Sequence, residues 1–279
     1  MADETTSSTI SELYTEIVAE ALFVASEQSI MRNLVRNYTI AGGGKSVEVP
    51  IYANVSAAAV NEATDLSNTA INPTSVTITA SEVGIMTTLT DLARNSASRN
   101  VAGDIGRLFG EAIARKVDAD LSALFTGFST EKAGGAGQEL TVQDIFEASA
   151  ELRTANAPAP YYGVFHPKQI FNVKKSLTNT FVGRDTELSN EAMRSGFVGT
   201  IAGVQIFESS NISVDGSDDS IGGVFSQDAL ALAMMQDLKL ETQRDASLRA
   251  DEIVATAVYG VSEIHDSYGV KLTADTLAT

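Results

Sequence analysis

From Ser11 to Gln28 the apolar residues Leu13, Ile17, Ala21 and Val24 recur at helical spacing, with Tyr14, Val18 and Ala25 beside them. The pattern predicts an amphipathic helix near the N-terminus, whose apolar face packs either on its own domain or on a neighbour. Gly42, Gly43 and Gly44 then break any helix. Val47, Val49 and Ile51 alternate with Glu48, Pro50 and Tyr52, which is strand period. Pro50 cannot donate to a ladder, so this strand belongs at an edge or faces solvent. A second alternating run, TSVTITASEVGIMTTLT, sets Val76 and Ile78 on one face. The intervening NVSAAAVNEATDLSNTAINP is small, polar and poor in large apolar residues. Together these segments predict a long two-stranded arm with a soft tip. Such a hairpin is marginal alone and needs another surface to lie on.

After Ser96 the period changes. Val101, Ile105, Leu108, Ala112, Ile113, Val117, Leu121 and Leu124 trace a stripe at three- and four-residue steps, widened by Phe109 and Phe125. This predicts a helix about 25 residues and about 37 Å long, capped by Ser98 or Asn100 and stopped at Gly127. STEKAGGAGQE reads as a flexible link. A helix opening at Thr141 follows, with Val142, Ile145, Phe146 and Leu152 on one face and Pro158 and Pro160 beyond its end. YYGVF is a buried-strand candidate, and His166-Pro167 starts another helix. NTFVGRDTELSNEAMRSGF reads as a loop with a short helical piece. GTIAGVQIFES predicts a strand pair around a tight Gly203 turn, and VDGSDDS a further turn. GGVFSQDALALAMMQ reads as a strand running into a short helix capped by Ser226. Two strands follow in LKLETQRDASLRADEIVATAVYGVSEI. The closing EIVATAVYGVSEIHDSYGVKL itself reads as two strand-like runs joined by a polar link. The pattern predicts a compact α/β unit over residues 140–235. The arm, the long helix and the last strands, which return from beyond that unit, form a second one.

Composition narrows the class. The 279 residues suit one large domain or two modest ones, and the 44% apolar and 20% charged fractions are those of a globular chain. Cysteine is absent, which removes disulfides and thiolate metal sites. The net charge of −17 repels a nucleic-acid backbone, so a dedicated DNA binder is not expected. MADETTSSTISELYTEIVAEALF lacks the basic start of a signal peptide, and no run of about 18 apolar residues marks a membrane span.

Residues that could carry chemistry do not converge in the sequence. GGGKS imitates a phosphate loop, but Thr39 stands where its first glycine belongs, and a strand rather than a helix follows Lys45. A hinge at the base of the arm is the simpler reading. His166 precedes a helix-opening proline and suits a capping role. His265-Asp266 lacks any serine elbow or cysteine to activate. Asp118 and Asp120 point to different faces of the long helix, towards a salt bridge or solvent. Asp215, Asp218 and Asp219 lack calcium-loop spacing and read as a solvated turn. Tyr161 and Tyr162 read as core. No catalytic, cofactor-binding or metal site is therefore assigned.

The order of these pieces resembles the major capsid protein of tailed bacteriophages, an α+β fold shared with encapsulin shells and herpesvirus capsid floors. KSVEVPIYANVSAAAVNEATDLS is similar to that family's extended loop, with Glu62 near its tip. LARNSASRNVAGDIGRLFGEAIARKVDADLSALFTG is similar to its spine helix. APYYGVFHPKQIFNVKKSL and GTIAGVQIFESSNI resemble its axial-domain segments, and the stretch from Gly222 to Leu272, with Arg244 and Asp245, resembles its closing segment. The resemblance implies an N-terminal arm over 1–41, an extended β-hairpin loop over 42–90 and a peripheral domain with the spine helix over 91–139. It further implies an axial domain over 140–240 and peripheral return strands over 241–279.

It also implies self-assembly into hexamers and pentamers of an icosahedral shell around double-stranded DNA, assembled in the host cytoplasm. A separate scaffolding protein, a portal and a decoration protein would be the partners, with no cofactor. The alternative is an encapsulin-like nanocompartment around a cargo enzyme. Inter-subunit contact is expected at Leu13, Tyr14 and Ile17 on the arm and at Val49, Ile51, Glu62, Val76 and Ile78 on the loop.

Overall fold

The computed structural model describes residues 29–41, 43–52, 55, 57, 59–61, 65, 68, 70–96, 101–132, 135–178 and 197–276. The alternating and helical stretches become three sheets and four α-helices among these residues. The first sheet has four strands in the order β1 (Arg36–Thr39), β10 (Leu230–Asp245), β11 (Ala250–Glu263) and β4 (Ser81–Thr90). β1 runs parallel to β10, and the other pairs are antiparallel. The second has six strands in the order β5 (Glu131–Lys132), β12 (Gly269–Asp275), β9 (Asp219–Ser226), β6 (Tyr161–Phe165), β8 (Val204–Glu208) and β7 (Phe197–Ile201). The third is the predicted hairpin, β2 (Ser46–Ile51) with β3 (Thr74–Thr79).

A short helix α1 (Asp91–Ser96) precedes the long helix α2 (Val101–Ala123), which tightens into a 3-10 turn at Leu124–Gly127. Most of the expected stripe is the buried face of α2: Phe109, Ile113, Val117 and Leu121 pack with Leu240 and Ile253 of the four-stranded sheet, whereas Leu108, expected on that face, is 61% exposed. Tyr259 is buried there too, and its hydroxyl donates to Asp120 at 2.7 Å. Burial first, then that bond, raises the Tyr259 pKa, so the phenol stays neutral. Helices α3 (Val142–Thr154) and α4 (Pro167–Thr178) cover the six-stranded sheet with Ile145, Leu152, Ile170 and Val173. Thr141 does open α3, through a capping box in which Asp144 accepts its backbone N–H at 2.7 Å. The Gly203 turn is also as expected, with Ala202 at φ 55° and Gly203 at φ 82°. Among the described residues no helix is long and apolar enough to cross a membrane.

Several expectations are corrected. The segment after Ser226 is strand β10, not a helix, and the Ser226 hydroxyl donates to the Pro158 carbonyl at 2.6 Å instead of capping. Its apolar run is continuous because both faces are covered. Leu230 and Leu232 join the α2 core, while Ala231 and Ala233 lie under the hairpin. The closing strands also part company. β11 returns to β4 and β10, but β12 pairs with β9 and β5 in the six-stranded sheet. The link over 129–139 is likewise not free, since it contributes β5 and its Gly137 N–H donates to Asp219 at 2.8 Å. Phe146 is 55% exposed, because the buried face of α3 is Ile145, Ala148, Ser149 and Leu152. The caps expected at Ser98 and Asn100, and the loop over 179–196, lie outside the described residues.

Between β11 and β12 the chain crosses from one sheet to the other, and two carboxyls meet there. Asp266 accepts from the Ser129 backbone N–H at 2.7 Å and from the Ser129 hydroxyl. Glu263 bonds to Asp266, and burial, then that neighbour, raises its pKa. Burial also acts to raise Asp266, but the Ser129 bonds outweigh it and leave the pKa lowered. A raised carboxyl favours the folded state in its neutral form. The Glu263 contribution is therefore full below the ordinary carboxylate range and fades as pH rises through its raised value. The melting temperature of Glu263→Gln, relative to the native chain, should accordingly improve between about pH 4 and about pH 8. A difference that stays flat across that range in calorimetry would contradict the raised Glu263 pKa.

Candidate assembly surface

The two-stranded sheet is closed at its base and seated on the four-stranded sheet. Gly43 has φ 84°, which starts the hairpin, and the Ala80 N–H donates to the Lys45 carbonyl at 2.8 Å to close it. Val49 and Ile78 pack with Ile40, Ala80, Ala231 and Ala233 on the face of the four-stranded sheet opposite α2. Gly260 of β11 lets the backbone of β3 cross at contact distance. A Cβ there would lie 2.4 Å from the Thr79 carbonyl oxygen.

Past Ile51 the sheet ends, and the described residues before Thr74 place large apolar groups in solvent. Tyr52 is 62% and Ile71 58% exposed, and Val55 and Val60 are exposed between them. No lysine or arginine lies between Tyr52 and Pro73, whereas Glu62 and Asp65 do. Each buried side chain of this size would contribute about 1.5–3 kcal/mol, and the hairpin alone provides nothing to bury them. The arrangement can dock. It brings together no acid, base and nucleophile, and the described residues hold no group of three or more His, Asp or Glu able to bind a metal.

The structure sorts the expected contact residues. Val49 and Ile78 are 6% and 1% exposed under the chain's own atoms, so they hold the hairpin to its body and are not available to a neighbour. Their alternation is real, but the face it marks is internal. Ile51 and Val76 are half-buried at the edge of the same cluster. Leu13, Tyr14, Ile17 and Glu62 lie outside the described residues. Tyr52, Val55, Val60 and Ile71, exposed in the structure, were not singled out in the sequence. Their only sequence signal is that they are isolated large apolar residues in an otherwise small and polar run.

The remaining singled-out residues have ordinary surroundings. His166 Nδ1 accepts the Lys168 N–H at 3.3 Å at the start of α4, the capping role expected of it. Burial lowers its pKa and keeps that nitrogen free to accept. The His265 ring lies 4.6 Å from that of Tyr268. Tyr162 packs with Phe207 and Phe225 in the core. Asp120 pairs with Lys116. Asp118 instead is buried with no salt bridge among the described residues, and Asp219 is buried at the start of β9; both correct the solvated reading. Lys45 is followed directly by β2. Arg244 ends β10 and forks onto Asp91, with Nη1 to Oδ1 at 2.7 Å and Nη2 to Oδ2 at 2.5 Å.

Comparison with known proteins gives one consistent outcome. A family model described as phage capsid protein matches residues 73–271. No curated protein matches the chain. Among solved structures it is similar to the capsid of Ralstonia phage GP4, with TM-score 0.71 and 10% identity over 91% of this chain and 89% of that one. It is similar to the capsid of cyanophage P-SCSP1u, with TM-score 0.69 and 18% identity over 88% of each chain. A structure from Mycobacterium phage Che8 has TM-score 0.63 and 22% identity over 82% of this chain and 84% of that one.

Proposed function

The chain belongs to the phage capsid protein family, and from that premise we propose that it is the major subunit of a closed icosahedral shell built of hexamers and pentamers around double-stranded DNA. The observation that carries the assembly reading is the hairpin: buried at its base, apolar and exposed beyond it. A surface of that kind is stable against a second copy of the chain. Weak contacts repeated by symmetry then make a firm shell without any tight pair.

In this reading the four-stranded sheet with α2 is the peripheral domain and the six-stranded sheet with α3 and α4 the axial domain. The chain passes between the two sheets after α2, between β9 and β10 and between β11 and β12. The hairpin is the extended loop, and residues 1–41 are the arm. The net charge of −17 suits a container that encloses DNA without gripping it. The role is structural rather than enzymatic. Particles form in the host cytoplasm with a separate scaffolding protein, a portal and a decoration protein, and the family favours a virion over a nanocompartment.

Negative-stain microscopy and analytical ultracentrifugation of the purified chain test this. Rings or shells of uniform size are expected. A sample that stays monomeric at every concentration and salt would overturn the proposal, and shells that co-purify with an enzyme would replace the virion by a compartment.

A further inference from the structure

Asp118 is a puzzle in the middle of α2. It is 1% exposed, and a buried carboxylate without a cationic partner is costly. Among the described residues, the groups that hold it are hydrogen-bond donors. The Ser29 hydroxyl reaches Oδ1 at 2.7 Å, the Ile30 N–H reaches Oδ2 at 3.1 Å and the Met31 N–H reaches Oδ1 at 3.2 Å. Burial raises the Asp118 pKa, and these bonds oppose the rise.

The apolar contacts at this place would hold the chain without a charge. Met31, Leu34 and Val35 are buried beside Phe109, Ile113 and Val117. Burial of that kind is not directional, whereas bonds to two successive backbone N–H groups set the course of the chain. Ser29 follows directly on the 28 N-terminal residues of the chain. They carry Asp3, Glu4, Glu12, Glu16, Glu20 and Glu27, with no lysine or arginine. Asn211, Ser122 and Ile212 further line a cavity of about 340 Å³ beside α2.

We propose that Asp118 is the anchor at the base of the N-terminal arm: one buried carboxylate fixes the course of the chain through residues 29–31 against α2. Its purpose rests on the shell reading, because an arm that reaches a neighbouring copy must start in a defined direction. The contact itself lies within one chain.

Hydrogen exchange of the full unassembled chain tests the anchor, with Asp118→Asn, Asp118→Ala and the milder Ser29→Ala. Asparagine turns an amide donor towards one of the N–H groups, so exchange at Ile30 and Met31 should rise about tenfold. The change should be confined to residues 29–35, smaller in Ser29→Ala, and absent from β11. Unchanged exchange at 29–35, or an equal rise throughout α2, overturns the anchor. Microscopy of the same variants tests the purpose: fewer or irregular particles with Asp118→Asn are expected, and normal shells overturn it. If the native chain fails to assemble, the shell reading falls while the exchange pattern still decides the anchor.

Discussion

Val60→Asp combined with Ile71→Asp should abolish particle formation and leave the isolated subunit folded. Both side chains stand in solvent, beyond the buried base of the hairpin. Their replacement removes nothing from the chain's own core, and the melting temperature should stay within about 2 °C of the native value. In an assembled shell the same positions would meet a neighbour. There each loses about 1.5–3 kcal/mol of apolar burial, and an unpaired carboxylate adds a desolvation cost. Symmetry repeats that loss at every copy, so a modest change per contact becomes a complete loss of closed particles. Size-exclusion chromatography and microscopy, read beside calorimetry, separate the two effects. Normal shells from the double variant would show that the hairpin tip is not an assembly surface.

Gly260→Val should have the largest effect on the fold of the single chain. The Cβ would stand 2.4 Å from the Thr79 carbonyl oxygen and 3.1 Å from the Ile78 side chain, on a strand paired on both sides. Neither backbone can retreat without breaking a ladder, so the hairpin is forced off its sheet. Overpacking of this kind costs about 1–3 kcal/mol, and uncovering Val49 and Ile78 adds to it. The urea midpoint should fall, and exchange at Thr79 and Ala80 should rise well before that of α2. If those amides stay protected in the variant, the hairpin is not seated over Gly260.

How much of this was legible depended on whether a residue's partner lies near it in sequence. The stripe Phe109, Ile113, Val117 and Leu121 specifies α2 because helical periodicity is local. The alternation of Val47, Val49 and Ile51 against Val76 and Ile78, with glycines before it, specifies the hairpin, and Ala202-Gly203 its turn. The face those alternations mark was legible, but not whether it turns to the body or to a neighbour. For Val49 and Ile78 it is the body. The run from Leu230 to Met235 is apolar at almost every position, and periodicity cannot tell a doubly covered strand from a buried helix. The destination of β12 was equally hidden, because the short link after Glu263 permits either sheet.

The sequence by itself determined the element types of the long periodic segments, the absence of thiol chemistry, the acidic balance and, through the order of its parts, the family. Only the tertiary structure decided which sheet each late strand joins, which apolar residues are spent inside the chain, and that Asp118 meets residues 29–31 across nearly ninety positions. The reason is physical. Propensity and periodicity act over a few residues, whereas strand pairing and the burial of a charge depend on groups that only folding brings together.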